Sequence, residues 1–186
     1  MGTLTTEKID RLGRKVQREE SLFDSKTVAL FLIIGAEMMV FAGLLTAFQV
    51  LKVNQVMWPP YGMPKFPAMI TGINTIILIS SGIFLEVFVR KKMTAFYLSS
   101  LIALIAFVSI QVIEWFDLVQ FGLEIVGGVY GGIYLLVIGF HATHVLFSLG
   151  WMLIHFFKGW TNTEMLRIYL WFVILVWPFV YAIVYF

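Results

Sequence analysis

The chain has 186 residues, 60% of them hydrophobic and 13% charged, with a formal net charge of +2 and a mean hydropathy of +0.92. These values exclude an ordinary soluble domain and indicate an all-α, polytopic membrane protein. The absence of cysteine also excludes a disulfide framework, a thiolate metal site and a cysteine nucleophile.

Residues 1–26 form a polar tail without the apolar run of a signal peptide, so the first hydrophobic helix is expected to direct insertion. From Glu7 to Asp24 the tail mixes five acids with five bases, while Leu4, Ile9, Leu12 and Val16 fall near helical spacing. It reads either as a short amphipathic surface helix or as a solvated tail. The remainder, 27–186, reads as one transmembrane bundle of five helices at about 27–51, 68–89, 94–116, 129–157 and 165–186.

In the first helix, Glu37 interrupts an apolar run. At ~1.5 Å per residue it lies roughly 15 Å from the helix start, near the centre of a bilayer about 30 Å thick. A carboxylate there costs about 3 kcal/mol unless it is protonated, paired or wet, so it requires a partner. Four prolines (59, 60, 64 and 67) make the following loop irregular, and Trp58 stands beside them as an expected interfacial residue.

Helix two carries Thr71, Asn74, Thr75, Ser80, Ser81, Gly82 and Glu86. Thr71, Thr75, Gly82 and Glu86 share one stripe, which reads as a helix–helix interface or, more sharply, as a proton path. Arg90, Lys91 and Lys92 separate this helix from the third, which ends in Gln111, Glu114, Trp115 and Asp117. Glu114 is expected near the outer interface, as a capping or loop-pinning residue.

Helix four is over-long, and so tilted or projecting. It opens on two overlapping Gly-xxx-Gly patterns, at 127 and 131 and at 128 and 132, which permit close backbone approach or form a flexible turn. His141 and His144 are spaced i, i+3 and share a face that Ser148 extends. At ~1.5 Å per residue His141 lies about 18 Å into the helix, near the depth of Glu37. An imidazole in the bilayer needs hydrogen bonds. The expectation is that His141 or His144 pairs with Glu37; the alternative is that each bonds a neighbouring hydroxyl or carbonyl. His155, the remaining histidine, sits at the opposite end of the helix, so a metal or haem site is not expected.

Eleven of the 13 Lys and Arg residues fall on one side of this arrangement, which places the N-terminus in the cytoplasm and the C-terminus outside. Phosphate loops, dinucleotide motifs and serine-nucleophile motifs are missing, and the basic residues are too few for a nucleic-acid partner.

Taken in order, these segments resemble subunit III of the haem-copper respiratory oxidases. Glu37-Met-Met-Val-Phe-Ala-Gly43 looks like that family's first retained helix, and Trp58-Pro59-Pro60 like its outer loop. Ile73-Asn74-Thr75 with Ser80-Ser81-Gly82 is similar to the next helix, and Gln111, Glu114 and Trp115 to the end of the one after. Tyr130-Gly131 and the run from Gly139 through His141 and His144 to Val145 match its most distinctive stretch. The likeness covers residues 27 to about 157 and fits the short, five-helix form that lacks the first two helices. It departs in the last helix, where Leu170-Trp171-Phe172-Val173-Ile174 stands in place of a Trp-His-Phe-Val-Asp pattern.

The resemblance implies a non-catalytic subunit that binds no redox centre itself. It would pack against subunit I, which holds haem and copper, in a complex with subunit II, which carries copper in the cytochrome c type, and with small subunits. It would stabilise subunit I, support proton uptake and hold structural phospholipid. Asn74, Thr75, Ser81, Glu114 and Trp58 are then candidates for helix packing or a lipid cleft, and Glu37, His141 and His144 for the intramembrane polar contact. The implied location is the cytoplasmic (inner) membrane of a bacterium or archaeon. The electron donor, cytochrome c or quinol, stays open. So does the related accessory protein of nitric oxide reductases. A small proton-coupled transporter and a lipid-organising scaffold are readings from other classes.

Overall fold

A computed structural model of the chain describes residues 25–123, 128–159 and 163–186. The described residues contain five α-helices and no strand: α1 Ser25–Val53, α2 Ala68–Lys91, α3 Thr94–Gln120, α4 Val129–Lys158 and α5 Thr163–Tyr185. All five are long and apolar enough to cross a membrane. At ~1.5 Å per residue the shortest, α5, is about 35 Å long, enough for a hydrocarbon core of about 30 Å. The tail over Glu7–Asp24, Glu124, Gly127 and Trp160 lie outside the described residues.

The chain divides into two compact units inside α1, Met1–Glu37 and Met38–Phe186. The described part of the first is the opening of α1, Ser25–Glu37, which is helical throughout. Within the second, the rest of α1 packs through Phe41, Leu45 and Phe48, all buried. Phe41 meets the Phe140 ring at 4.9 Å and the His144 ring at 5.1 Å. Phe48 meets Trp58 edge-on at 5.5 Å.

Helices α2 and α3 form a tight hairpin. Lys92 adopts a left-handed conformation (φ 55°) and donates its N–H to Phe88 O at 2.7 Å. Ser100 Oγ donates to Ser81 O at 2.7 Å, and Asn74 Nδ2 to Phe107 O at 3.1 Å. Tyr97 OH donates to Met152 O at 2.6 Å, joining α3 to α4.

Helix α3 runs further than the sequence reading placed it. It continues six residues past Glu114 to Gln120 and stops at Gly122, whose φ of 95° lets Leu123 N–H reach back to Leu118 O at 2.9 Å. Glu114 is therefore neither a helix cap nor at a helix end, which corrects the capping expectation.

Helix α5 lies against both α2 and α4. Its contact with α2 is close because two α2 positions lack a side chain. A Cβ on Gly82 would stand 2.5 Å from Ile174 Cδ1 and 3.4 Å from Trp171, and one on Gly72 would stand 2.9 Å from the Tyr181 hydroxyl. At the basic end, Arg167 of α5 binds Glu86 of α2 at 3.0 Å and Glu164 at 2.7 Å, while Arg90 binds the same Glu86 at 2.9 Å.

The expected outcome of Gly82→Val is a loss of about 1–3 kcal/mol from overpacking the α2–α5 contact. Gly150→Ala, where an added Cβ meets nothing within 4 Å, should instead be neutral or stabilising by up to about 1 kcal/mol. Thermal unfolding of the two variants in mild detergent separates these outcomes.

Candidate functional site

The inward face of α4 carries His141, His144 and Ser148, all buried. His141 Nε2 lies 3.1 Å from the Val173 carbonyl of α5. A carbonyl oxygen only accepts, so this nitrogen carries the proton and the imidazole ties α4 to α5. Pro178 lies inside α5 and has no N–H to give to Ile174 O. The His141 ring also faces Trp177 at 4.6 Å and Phe107 at 6.3 Å. His144 Nδ1 lies 2.7 Å from Phe140 O one turn back. That contact fixes the tautomer with the proton on Nδ1, which makes Nε2 an acceptor.

The largest polar assembly centres on Glu114 of α3, only 4% exposed. Its Oε1 accepts from Tyr134 OH of α4 at 2.8 Å and from the Tyr185 hydroxyl of α5. Its Oε2 lies 2.7 Å from Thr71 Oγ1 of α2. One carboxylate thus joins four helices, and hydroxyls on three different helices meet its charge. Phe66 stacks on Tyr134 at 4.1 Å and on Tyr130 at 4.8 Å. Tyr130 OH donates to Pro64 O at 2.8 Å, and Trp58 packs edge-on against the Tyr130 ring at 4.7 Å. The proline-rich loop is therefore fastened over the Glu114 end of α2–α5.

Of the other residues singled out in the sequence, Thr75 accepts from Trp177 Nε1 at 2.8 Å and so adds a second α2–α5 link. Ser81 Oγ donates to Leu78 O within its own helix at 2.7 Å. Glu37 is the thirteenth residue of α1. Among the described residues, no three of His, Cys, Asp or Glu gather where they could hold a metal ion. The nearest approach to a donor set, His141 with His144, directs an N–H from each ring at a backbone carbonyl.

Sequence reasoning missed Tyr134 and Tyr185 as partners of Glu114, and Val173 as the anchor of His141. The tyrosines carry no signal that separates them from other membrane aromatics, and a backbone carbonyl carries none at all.

The family described as cytochrome c oxidase subunit III matches the chain over residues 18–186. The chain belongs to the cytochrome c oxidase subunit III family. The chain is 32% identical over 130 residues to the cytochrome c oxidase subunit 3 of Synechocystis sp., covering 66% of the chain and 53% of that relative. To its counterpart in Rhipicephalus sanguineus it is 32% identical over 106 residues, 54% of the chain and 41% of the relative. To that of Candida parapsilosis it is 28% identical over 176 residues, 83% of the chain and 64% of the relative. The chain thus spans about half the length of the first two of these relatives.

Replacing the Glu114 carboxylate tests the four-helix junction. Glu114→Leu removes the shared acceptor, leaving Thr71 Oγ1 only Pro67 O at 3.0 Å and the two tyrosine hydroxyls only each other at 3.1 Å, so one hydroxyl loses its acceptor at about 1–3 kcal/mol. It should sharply reduce both membrane abundance and thermal midpoint. Glu114→Gln, which keeps a carbonyl acceptor, should lose less. Tyr134→Phe, which removes one interhelical bond, should cost about 0.6 kcal/mol. Fluorescence-detected size exclusion after graded heating ranks the three.

Proposed function

We propose that this chain is the non-catalytic subunit III of a haem-copper terminal oxidase of the cytochrome c oxidase type, acting in aerobic electron transport coupled to proton translocation. The family match over residues 18–186 carries this reading. On it, the chain packs against subunit I, where haem and copper lie, with subunit II and small subunits completing the complex. It stabilises subunit I, supports proton uptake and holds structural phospholipid in the cytoplasmic membrane, with its N-terminus inside. The side-chain chemistry agrees with a supporting role: the buried polar groups of α2–α5 hold helices to one another. Asn74, Thr75, Ser81, Glu114 and Trp58 serve packing in this account.

Glu37 is proposed to pair with the imidazoles of α4, His144 in particular. The pair would hold the first helix to α4.

A tagged copy of the chain, pulled from native membranes in mild detergent, should bring down an oxidase. The reduced-minus-oxidised haem spectrum and oxygen consumption are the readouts, and the donor that supports consumption separates cytochrome c from quinol. Haem b and c with nitric oxide reduction in place of oxygen consumption would transfer the chain to the reductase branch. A haem-free but intact preparation would overturn the oxidase reading.

In the same complex, Glu37→Ala should shorten the lifetime of turnover more than it lowers the initial rate. An initial rate of zero in an intact complex would refute the structural account of Glu37.

A further inference from the structure

The Glu114 junction differs from a fixed tie between helices in one hydrogen bond. Thr71 Oγ1 lies 2.7 Å from Glu114 Oε2 and 3.0 Å from Pro67 O. A hydroxyl has one proton to give and lone pairs with which to accept. With Glu114 ionised, Thr71 donates to Oε2. With Glu114 protonated, its own O–H donates to Thr71 Oγ1, and the threonine proton turns to Pro67 O. Tyr134 and Tyr185 donate to Oε1 in either case. Both states of the carboxyl therefore satisfy all of its partners, and no heavy atom has to move. A carboxyl ringed only by committed donors would leave a buried group unmet on protonation, at about 1–3 kcal/mol. Here the Thr71 hydroxyl removes that cost by rotating.

A proton also needs a way in. Glu114, 4% exposed, is one wall of a cavity of about 420 Å³ whose other walls include Pro64, Lys65, Pro67, Ile110 and Asp117. That volume has room for several waters at about 30 Å³ each. Lys65 from the loop and Asp117 from α3 are the other charged residues on its walls, and both are exposed. Asp117 is spaced i, i+3 from Glu114, on the same face of α3. From α2, α4 and α5 the carboxyl meets only the neutral hydroxyls of Thr71, Tyr134 and Tyr185.

We infer that Glu114 is a proton-exchange site. Its carboxyl takes up and releases a proton through this cavity, and Thr71 is the hydroxyl that turns to serve both states. Asp117, exposed and one turn along α3, passes the proton between water and the cavity. The exchange is with the membrane face at which Pro64 and Lys65 lie, at the opposite end of α2 from Glu86 and Arg90. Because the tyrosine and threonine contacts persist in both states, the site follows the pH of that face without loosening the bundle. The inference uses only the geometry of α2–α5 and does not rest on the oxidase reading.

The test is infrared difference spectroscopy of the full chain in lipid bilayers. The carbonyl stretch of a protonated carboxyl should grow as the pH falls and shrink as it rises, within the range over which the protein stays folded. In heavy water it should shift before the amides of the spanning helices exchange. Glu114→Gln should abolish this band. Tyr134→Phe, which takes one donor from Oε1, should move it to higher frequency. Ile110→Trp, which fills the cavity, should slow the shift in heavy water and leave the band in place. The frequency change in Tyr134→Phe assigns the band to Glu114 even if Glu114→Gln fails to accumulate. A carboxyl that only holds helices together would give either no titrating band that answers to these substitutions or a band fixed against both pH and heavy water. Either result would overturn the proposal. Exchange as fast in Ile110→Trp as in the wild type would overturn the cavity as its route.

Discussion

The hydrocarbon of a bilayer offers no hydrogen bonds, so a polar group buried among these helices is costly unless another part of the chain meets it. The Glu114 carboxylate shows how much this constraint fixes. Its two oxygens need several donors, and those donors come from Thr71, Tyr134 and Tyr185 on three separate helices. No single pair of helices can satisfy it. The rotation of α2, α4 and α5 about their axes follows from the need to bring those hydroxyls to one point. The remaining contacts agree with that rotation: Trp177 reaches Thr75, Tyr181 OH reaches Ala68 O, and Gly72 and Gly82 let α5 approach. Phe66, between the rings of Tyr130 and Tyr134, extends the same arrangement into the loop.

The departure in the last helix has a local explanation. The chain has Trp171 and Ile174 where a histidine and an aspartate occur in the resembling pattern, and His141 turns to a backbone carbonyl of α5. Val173 O receives the imidazole N–H. Trp177 closes over the His141 ring. A polar link between α4 and α5 is thereby kept with only one polar side chain.

The number and placing of the helices were legible because a bilayer imposes a length and a composition that 20 or so residues must meet. Ends set by special backbone geometry were less legible. The third helix was placed four residues short because Glu114 and Asp117 suggested an interface, whereas the stop signal is the left-handed Gly122. For the buried polar groups, sequence showed which residues needed partners but not which partners they had. His141 stood out as a histidine in a membrane; Val173, which meets it, looks like any valine. Glu114 stood out as an acid, but its tyrosine partners lie 20 and 71 positions along the chain. Spacing rules hold within a helix and do not extend to contacts across four.

The order of those partners along the chain bears on how the protein is made. Thr71 precedes Glu114, and α2 and α3 are joined through Lys92 and Met93, so this hairpin can enter the bilayer as a unit with one hydroxyl already beside the carboxylate. Tyr134 emerges from the ribosome later, and Tyr185 is the penultimate residue. Until both arrive, Glu114 is an acid held by a single neutral hydroxyl in a half-built assembly. A chain without α5 would thus leave the Glu114 carboxyl short of its Tyr185 donor.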